Sequence, residues 1–376
     1  MNAQDRVDAQ DRVDAQDRGS AESWLRLGLI PGLGPASLRR LLQHFGSPAD
    51  VLAAASAAVE RLLEPSAAAA FRQGAAAAAV ETALIWLEQP GHSLLTLADA
   101  DYPKLLLETP DPPVLLYVCG HVKLLGHAAL AIVGTRSPTP RGAADAQAFA
   151  RVLSDAGLTI VSGLALGIDA AGHRGGLDGA SSSVAVVGTG LDRVYPARHR
   201  DLAHELAERG ALVSEFALGT PPIPPNFPRR NRILSGLARG CLVVEAALRS
   251  GSLITARQAL EQGRDVFAVP GSIHSPLSKG CHWLIKQGAK LVESAQDVLE
   301  ELRLPAPAGM RATAAQSAPL GELAVLLEAL GYDPVDLDTL CLRAGLTPDA
   351  ASAMLLTLEL DGYLDRLPGG RYQRRR

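Results

Sequence analysis

Leu130-Ala-Ile-Val-Gly-Thr-Arg136 is the stretch of sequence that decides the fold class, and Leu158-Thr-Ile-Val-Ser-Gly163 repeats its pattern. Each contains a short β-branched run that is apolar on both faces and is followed by glycine, which is typical of a strand in a parallel sheet. Segments with a helical pattern separate these runs from five others, at Val184–Val187, Ala211–Ser214, Cys241–Val244, Val266–Val269 and Lys290–Val292. The alternation predicts an α/β domain over residues 96–302 with an extended, Rossmann-like, doubly wound parallel sheet.

Helical patterns flank this domain on both sides. Residues 21–95 contain apolar helical segments, and Pro31-Gly32-Leu33-Gly34-Pro35 lies between two of them, which predicts a helical domain that is SAM-like or helix-hairpin-helix-like. Its glycine turn either brings helix amides to a DNA phosphate or only joins two packed helices, the interpretation we favour. Residues 319–376 show three helical patterns and then a hairpin around Pro368-Gly369-Gly370, which predicts a winged-helix-like domain. Because its third helix, Thr347–Leu360, has no Arg or Lys, we expect protein contact or weak nonspecific DNA contact there.

The remaining segments are polar. Residues 1–20 repeat Ala-Gln-Asp-Arg-Val-Asp and predict a disordered arm, and residues 303–318 are rich in Pro, Ala and Ser and predict a linker. The formal net charge of -4 excludes a globally basic nucleic-acid coat protein but leaves room for a local basic groove. No run reaches the roughly 20 apolar residues of a membrane span, and the four cysteines form no CxxC pair. We therefore expect a cytoplasmic protein without a metal site, a disulfide framework or a membrane contact.

Four of the predicted strands end in glycine-rich turns. The carboxyl ends of parallel strands share one sheet edge, where backbone amides and helix N-termini favour anions. The first turn, Gly134-Thr135-Arg136, lacks the GxGxxG pattern of dinucleotide-binding domains, and the chain has no GxxxxGK[ST] phosphate loop. These absences argue against a nicotinamide cofactor and against ATP hydrolysis on a P-loop. The turns are Gly134–Arg136, Ser162–Gly167, Gly188–Gly190 and Pro270–Ser272.

An arginine-rich motif, Asn226-Phe227-Pro228-Arg229-Arg230-Asn231-Arg232, lies between two of the predicted strands. The stretch from Phe216 to Val244 around it holds four arginines and no carboxylate. Guanidiniums suit a phosphate chain, and an aromatic ring can stack against an unpaired base. The alternative is a solvated arginine loop with Phe227 tucked into the core.

Two carboxylates invite catalytic interpretations. Asp169 and His173 are four residues apart on a predicted helix and could form an acid/base pair, but we favour a cap-region role for Asp169 and a packing or hydrogen-bonding role for His173. Glu245 is either a hydrolytic carboxylate or the ion-pair partner of Arg230 or Arg232, and we favour the ion pair. These residues keep a second function open, that of a nucleotide-processing hydrolase on a related Rossmann-like fold.

Taken together, the motifs resemble those of the DprA/Smf family (DNA processing protein A). The resemblance covers about residues 95–300, and the flanking domains resemble those of longer family members. It rests on these segments in order: Asp101–Pro103, Asp111–Pro113, Ala131–Arg136, Ser162–Asp169 with His173, Tyr195-Pro196, Asn226–Ile233, Arg249–Ala256 and Val269–Ser272.

The resemblance implies a bacterial cytosolic protein that binds single-stranded DNA, protects incoming strands and loads the RecA recombinase during natural transformation. It implies no cofactor and no catalytic reaction, a homodimer, and RecA and single-strand-binding protein as partners. Where relatives carry a lysine after Tyr-Pro, this chain has Ala197 and then Arg198, which supplies a nearby charge. The residues predicted to contact single-stranded DNA are Gly134, Arg136, Ser162, Gly163, Arg198, Phe227, Arg229, Arg230, Asn231 and Arg232. The apolar residues predicted for the dimer interface are Leu248, Ile273 and Leu277.

Overall fold

The computed structural model describes residues 18–305 and 321–374. The predicted arm therefore lies outside the described residues up to residue 17, and so does the predicted linker from residue 306 onwards. Residues 18–20, which the repeat assigned to the arm, belong to a helix that continues to residue 28 (α1). Within the described ranges no helix has both the length and the apolarity to span a bilayer, and no group of His, Cys, Asp or Glu side chains is placed to hold a metal ion.

The N-terminal region is entirely helical. The turn predicted at Pro31–Pro35 joins α1 to the next helix, which begins with Pro35 and ends before Gly46, a residue with a φ of 94° that favours glycine. Trp24, Leu27 and Leu41 belong to an apolar core that also includes Val114, next to the sheet. After α1, the helices of this region are α2 (Pro35–Phe45), α3 (Pro48–Ala53), α4 (Ser56–Glu60), α5 (Pro65–Gln73) and α6 (Ala77–Leu87).

The central region is built on a nine-stranded sheet in the order β1-β2-β6-β5-β4-β3-β7-β8-β9. All seven predicted strands are present within one residue of their expected bounds, and they pair in parallel. β1 and β2 were not predicted, and they add antiparallel strands at one edge. The strands are β1 (His92–Thr96), β2 (Leu115–Gly120), β3 (Ala129–Gly134), β4 (Thr159–Ser162), β5 (Ser183–Val186), β6 (Ala211–Ser214), β7 (Gly240–Val244), β8 (Asp265–Ala268) and β9 (Lys290–Leu291).

The domain boundary predicted between residues 95 and 96 falls within β1. This strand pairs with β2, so it belongs to the sheet of the central region. Its sequence, His-Ser-Leu-Leu-Thr, mixes polar and apolar residues, as an edge strand does. It therefore lacks the continuous apolar run that marks the parallel strands in the sequence.

Helices cover both faces of the sheet. Alternate residues of β3 point to opposite sides: Leu130 and Ile132 pack in a core with Phe149 of the helix after β3, whereas Ala131 and Val133 pack in a separate core. The helices are α7 (Lys104–Leu107), α8 (Pro140–Asp155), α9 (Ile168–Asp178), α10 (Arg200–Arg209), α11 (Asn226–Leu237), α12 (Ser252–Glu261), α13 (Lys279–Lys286) and α14 (Ala295–Glu301), with 3-10 turns at Val122–Gly126, Ala197–His199 and Pro276–Ser278.

The C-terminal region has the predicted winged-helix order. Three helices pack around Leu326, Leu340 and Leu355, and a three-stranded sheet in the order β10-β12-β11 completes it. The elements are α15 (Glu322–Leu330), β10 (Val335–Asp336), α16 (Leu337–Ala344), α17 (Pro348–Leu360), β11 (Leu364–Leu367) and β12 (Arg371–Arg374).

Candidate nucleic-acid interface

The candidate site lies at the carboxyl ends of β3, β4 and β5. Gly134 ends β3, Gly163 follows β4, and Gly188 comes two residues after β5. In the sheet, β4 lies beside β3 on one side and β7 lies beside β3 on the other, so the strand order reverses at β3. In open α/β sheets, ligands bind in the crevice beside such a switch point, so the topology places the glycine turns where a ligand is expected.

Phe227 is fixed at this edge by the first turn of α11. Nδ2 of Asn226 donates to the carbonyl oxygen of Gly188 at 3.0 Å, and a Cβ on Gly188 would lie 3.2 Å from the Phe227 ring. The ring centroids of Phe227 and Tyr195 are 5.7 Å apart, and Cζ of Arg136 lies 5.9 Å from the Phe227 centroid. Phe227 is half-buried and Tyr195 is exposed. Two aromatic rings and a guanidinium thus share one surface.

Three guanidiniums line a single cavity of about 710 Å³ beside this surface. They belong to Arg136 after β3, Arg174 on α9 and Arg198 in the turn before α10, and all three residues are exposed. Ala170 and Ala171 line the same cavity from one turn earlier on α9. Within residues 18–305 and 321–374 none of these three arginines forms an ion pair. The cavity therefore contains three guanidiniums without an ion-pair partner in these ranges and one carboxylate, that of Asp365, and we call it the basic crevice below.

Two residues predicted to contact DNA are buried and are not among the residues that line the crevice. Arg230 is only 5% exposed, and its Nη1 donates to the carbonyl oxygens of Gly163, at 2.6 Å, and of Val186. Burial lowers the pKa of Arg230 to about 10, so it keeps its charge at neutral pH. Ser162 is fully buried and donates to the carbonyl oxygen of Ile132 at 2.6 Å. These side chains support the turns and do not face the crevice.

Asp169 and His173 stabilise the turn between β4 and α9, which confirms the structural interpretation of this pair. Asp169 accepts hydrogen bonds from the backbone amides of Gly163 at 3.1 Å and Ala165 at 3.3 Å, so the Gly163 amide does not face an anion in the crevice. Nε2 of His173 accepts from the amide of Leu164 at 3.2 Å, and its other ring nitrogen lies 2.8 Å from Oγ of Ser183. Burial lowers the pKa of His173 to about 3, so the ring is neutral.

The remaining residues of the arginine-rich motif pair with carboxylates or with one another. Glu215 is almost fully buried and accepts from both Arg232 and Arg229, whose Nε lies 3.2 Å from Oε1. Nε of Arg232 also lies 3.3 Å from Oδ2 of Asp111. Asn231 accepts from Nε of Arg230 at 3.1 Å. Only Arg229 keeps a half-exposed guanidinium at the margin of the site.

Asp111 extends this ion-pair chain into the N-terminal region. Its Oδ1 lies 2.7 Å from Nη1 of Arg39 on α2, and the same Arg39 nitrogen donates to the carbonyl oxygen of Pro112 at 2.8 Å. The carboxylate of Asp111 therefore bridges guanidiniums of α2 and α11.

The prediction that Glu245 forms an ion pair with Arg230 or Arg232 is wrong. Glu245 instead accepts from Thr139, from its backbone amide at 2.9 Å and its hydroxyl at 2.6 Å. Thr139 is the N-cap of α8, so Glu245 ties the end of β7 to the start of that helix.

The apolar residues predicted for a dimer interface follow β7 and β8. Leu248 is 59% exposed and Ile273 is 66% exposed, and Leu277 is half-buried in the turn before α13. The first two are among the more exposed large apolar side chains of the central region.

Sequence reasoning missed three residues of the site: Arg174, Tyr195 and Glu215. Arg174 lies four residues after Ala170, so helical spacing along α9 could have placed it beside the predicted turns. Tyr195 belongs to a recognised motif, yet nothing local shows that its ring lies near Phe227. Glu215 stands one residue outside the carboxylate-free stretch and contacts it only in three dimensions.

The chain is similar to characterised families and proteins over most of its length. Residues 93–303 match the family model described as DNA recombination-mediator protein A, and residues 310–370 match the DprA winged helix domain. Protein Smf of Escherichia coli is 46% identical over 304 residues, which cover 79% of this chain and 81% of that protein. DNA processing protein DprA of Streptococcus pneumoniae is 47% identical over 212 residues, which cover 56% of this chain and 74% of that protein.

Solved structures agree with these matches. The X-ray structure of DNA processing protein A from Streptococcus pneumoniae superimposes with a TM-score of 0.67 at 37% identity, covering 74% of this chain and 97% of that chain. A Helicobacter pylori DNA processing protein A, whose structure is described by its single-stranded DNA binding mode, superimposes with a TM-score of 0.51 at 31% identity, covering 56% and 96%. The chain therefore belongs to the DNA recombination-mediator protein A (DprA/Smf) family.

Proposed function

We propose that this protein binds single-stranded DNA in the basic crevice and acts as a recombination mediator. The observation that carries the proposal is the convergence of Arg136, Arg174 and Arg198 on one cavity beside the Phe227 and Tyr195 rings. The single-stranded DNA binding described for the Helicobacter pylori relative supports it.

The geometry suits a strand whose bases are unpaired. Phosphates that pass the three guanidiniums are neutralised and release counterions, while a base can stack on the exposed side of the aromatic pair. A duplex keeps its bases in the helical stack and offers none to Phe227 or Tyr195. We therefore expect tighter binding to single strands than to duplex.

A mobility-shift comparison at two salt concentrations tests this proposal. Single-stranded oligonucleotide is expected to bind more tightly than its duplex. The affinity should also fall steeply between about 50 and 200 mM salt, because each neutralised phosphate releases counterions and the site contacts several phosphates. Equal affinity for the two forms, or binding that does not respond to salt, would contradict the proposed site.

Replacing Phe227 by alanine should weaken single-strand binding because it removes a stacking surface. Base–aromatic stacking contributes about 1–3 kcal/mol per base, so the Kd should rise by roughly 5- to 150-fold, as measured by fluorescence anisotropy. Phe227→Tyr keeps the ring and is the matched control, expected to bind like the native protein. An alanine variant with native affinity would show that no base stacks there.

We further propose a binding function without catalysis. The candidate catalytic groups are held in structural contacts: His173 is neutral and bonded through both ring nitrogens, and Glu245 is bonded to Thr139. Incubation with nucleoside monophosphates should release no free base. Release that disappears in Glu245→Gln would establish the alternative, a nucleotide-processing hydrolase.

As a mediator, the protein is proposed to load RecA onto incoming strands coated with single-strand-binding protein during natural transformation in the cytoplasm. In a strand-exchange assay with coated single strands, its addition should shorten the lag before RecA-dependent product forms. A lag that stays the same, with DNA binding intact, would separate DNA binding from RecA loading and contradict this part of the proposal.

We propose a homodimer formed through the apolar residues after β7 and β8. Leu248→Glu combined with Ile273→Glu would bury two carboxylates at the interface, so light scattering should show the dimer mass reduced to that of a monomer. Ile85→Glu on α6 introduces the same charge at a similarly exposed apolar residue and should leave the mass unchanged. A double variant that remains dimeric would place the interface elsewhere.

A further inference from the structure

The winged-helix region lies against the central region at the basic crevice. Cζ of Arg141 on α8 lies 5.5 Å from the ring centroid of Tyr332, which stands between α15 and β10. Asp365 on β11 lines the same cavity as Arg136, Arg174 and Arg198. A carboxylate of the winged-helix region thus forms part of the wall of the cavity that the three arginines also line.

The charge of the winged-helix region matches this placement. Its described residues, 321–374, contain nine Asp or Glu and four Arg, and no Lys. The recognition helix expected to approach duplex DNA, α17, contributes two carboxylates and no cation. A region of net negative charge therefore lies beside the basic crevice, although its β11–β12 hairpin also carries Arg366, Arg371 and Arg374.

We propose that the winged-helix domain is an intramolecular competitor of single-stranded DNA, with Asp365 standing where a phosphate binds. This proposal rests on the proposed function of the basic crevice. Asp365 lines the cavity without an ion pair to Arg136, Arg174 or Arg198 among the described residues, so a strand that fills the cavity must take the space of this side chain and of the region that carries it. A strand with several phosphates gains further contacts and counterion release, so it displaces the domain, and the apparent affinity is reduced by the fraction of molecules in which the crevice is covered.

The first test compares two full-length variants that each remove one negative charge from the winged-helix region. Asp365→Asn should bind a single-stranded oligonucleotide about 3- to 10-fold more tightly than the native protein at low salt, because a larger fraction of molecules has an open crevice. Asp349→Asn, an exposed residue at the start of α17 outside the cavity, should change the Kd by less than about 2-fold. Equal effects of the two variants on the Kd would overturn the competition while leaving single-strand binding established.

The second test reports on the domain contact directly. Carbodiimide coupling of carboxylates, quantified by mass spectrometry on the native chain, should modify Asp365 faster when single-stranded DNA is added, whereas Asp349 should react at the same rate. A slower reaction at Asp365 would mean that DNA binds over the docked domain and would overturn the proposal. A protein that binds no single strands, in native form or as Asp365→Asn, would instead refute the proposed function of the crevice.

Discussion

Arg136→Ala combined with Arg198→Ala is expected to weaken single-strand binding by roughly 100-fold, because a charge-assisted hydrogen bond contributes about 1.5–3 kcal/mol. Both guanidiniums line the basic crevice, and neither forms an ion pair within the described ranges, so their charge is available to phosphate. Fluorescence anisotropy over a salt series measures the effect. Besides the higher Kd, the slope of log K against log salt should become shallower by about 0.7 for each phosphate that the variant no longer neutralises.

Arg151→Ala is the matched control for this double variant. Arg151 is exposed on α8 outside the residues that line the crevice, so its removal should leave both the Kd and the salt slope near native values. If the double variant bound like the control, phosphates would not contact the crevice, and the functional assignment would have to move to another surface.

Arg230→Met is expected to destabilise the protein strongly instead of acting on DNA affinity alone. The change removes the donor to the carbonyl oxygens of Gly163 and Val186 and the positive charge that most favours the ionised form of the buried Asp169 carboxyl. Each buried polar group left without its partner costs about 1–3 kcal/mol, and more where a charge is involved, so the sum is a large fraction of a domain's free energy of unfolding. Urea unfolding followed by circular dichroism should show the transition at a much lower concentration.

A second substitution separates the charge effect from the change in packing. Asp169→Asn keeps an oxygen that accepts from the Gly163 and Ala165 amides but removes the negative charge. Combined with Arg230→Met, it should therefore restore part of the free energy of unfolding. Arg151→Met, on an exposed helix face, should change the free energy of unfolding by less than about 0.5 kcal/mol. An Arg230→Met variant as stable as this control would contradict the supporting role assigned to Arg230.

The fold was largely predictable because its strongest signals are local. A strand such as β3 is apolar on both faces, and the glycine turn after it marks the sheet edge, so neither feature depends on distant contacts. β1 was missed because its mixed polar and apolar sequence has no strand pattern of its own, and only its pairing with β2 makes it a strand. The winged-helix order was readable for the same local reason, because the three helices and the hairpin each have a local pattern, whereas the two-residue β10 between α15 and α16 was missed because it is a strand only through its pairing with β12.

The site was predictable in its location but not in the direction of its side chains. Sequence placed Arg136 and Phe227 at one sheet edge, and the structure brings them together. It could not show that Arg230 turns inward to Gly163, because that contact joins residues 67 positions apart, or that Glu215 neutralises Arg232. A guanidinium's partner is decided by tertiary packing, whereas its presence in a loop is decided by sequence.

Because Asp111 bridges α2 and α11, the N-terminal helices help to fix the position of α11, the helix that carries the arginine-rich motif. Arg39 and Arg232 form ion pairs with the same carboxylate. A movement of the N-terminal helices away from the sheet must therefore either break these contacts or displace α11. A shortened protein that begins after α2 would lack that support even if the helices never touch a nucleotide. Weaker DNA binding by such a truncation would then reflect a less firmly positioned α11. Restoring the affinity would require another contact that holds Asp111 in place.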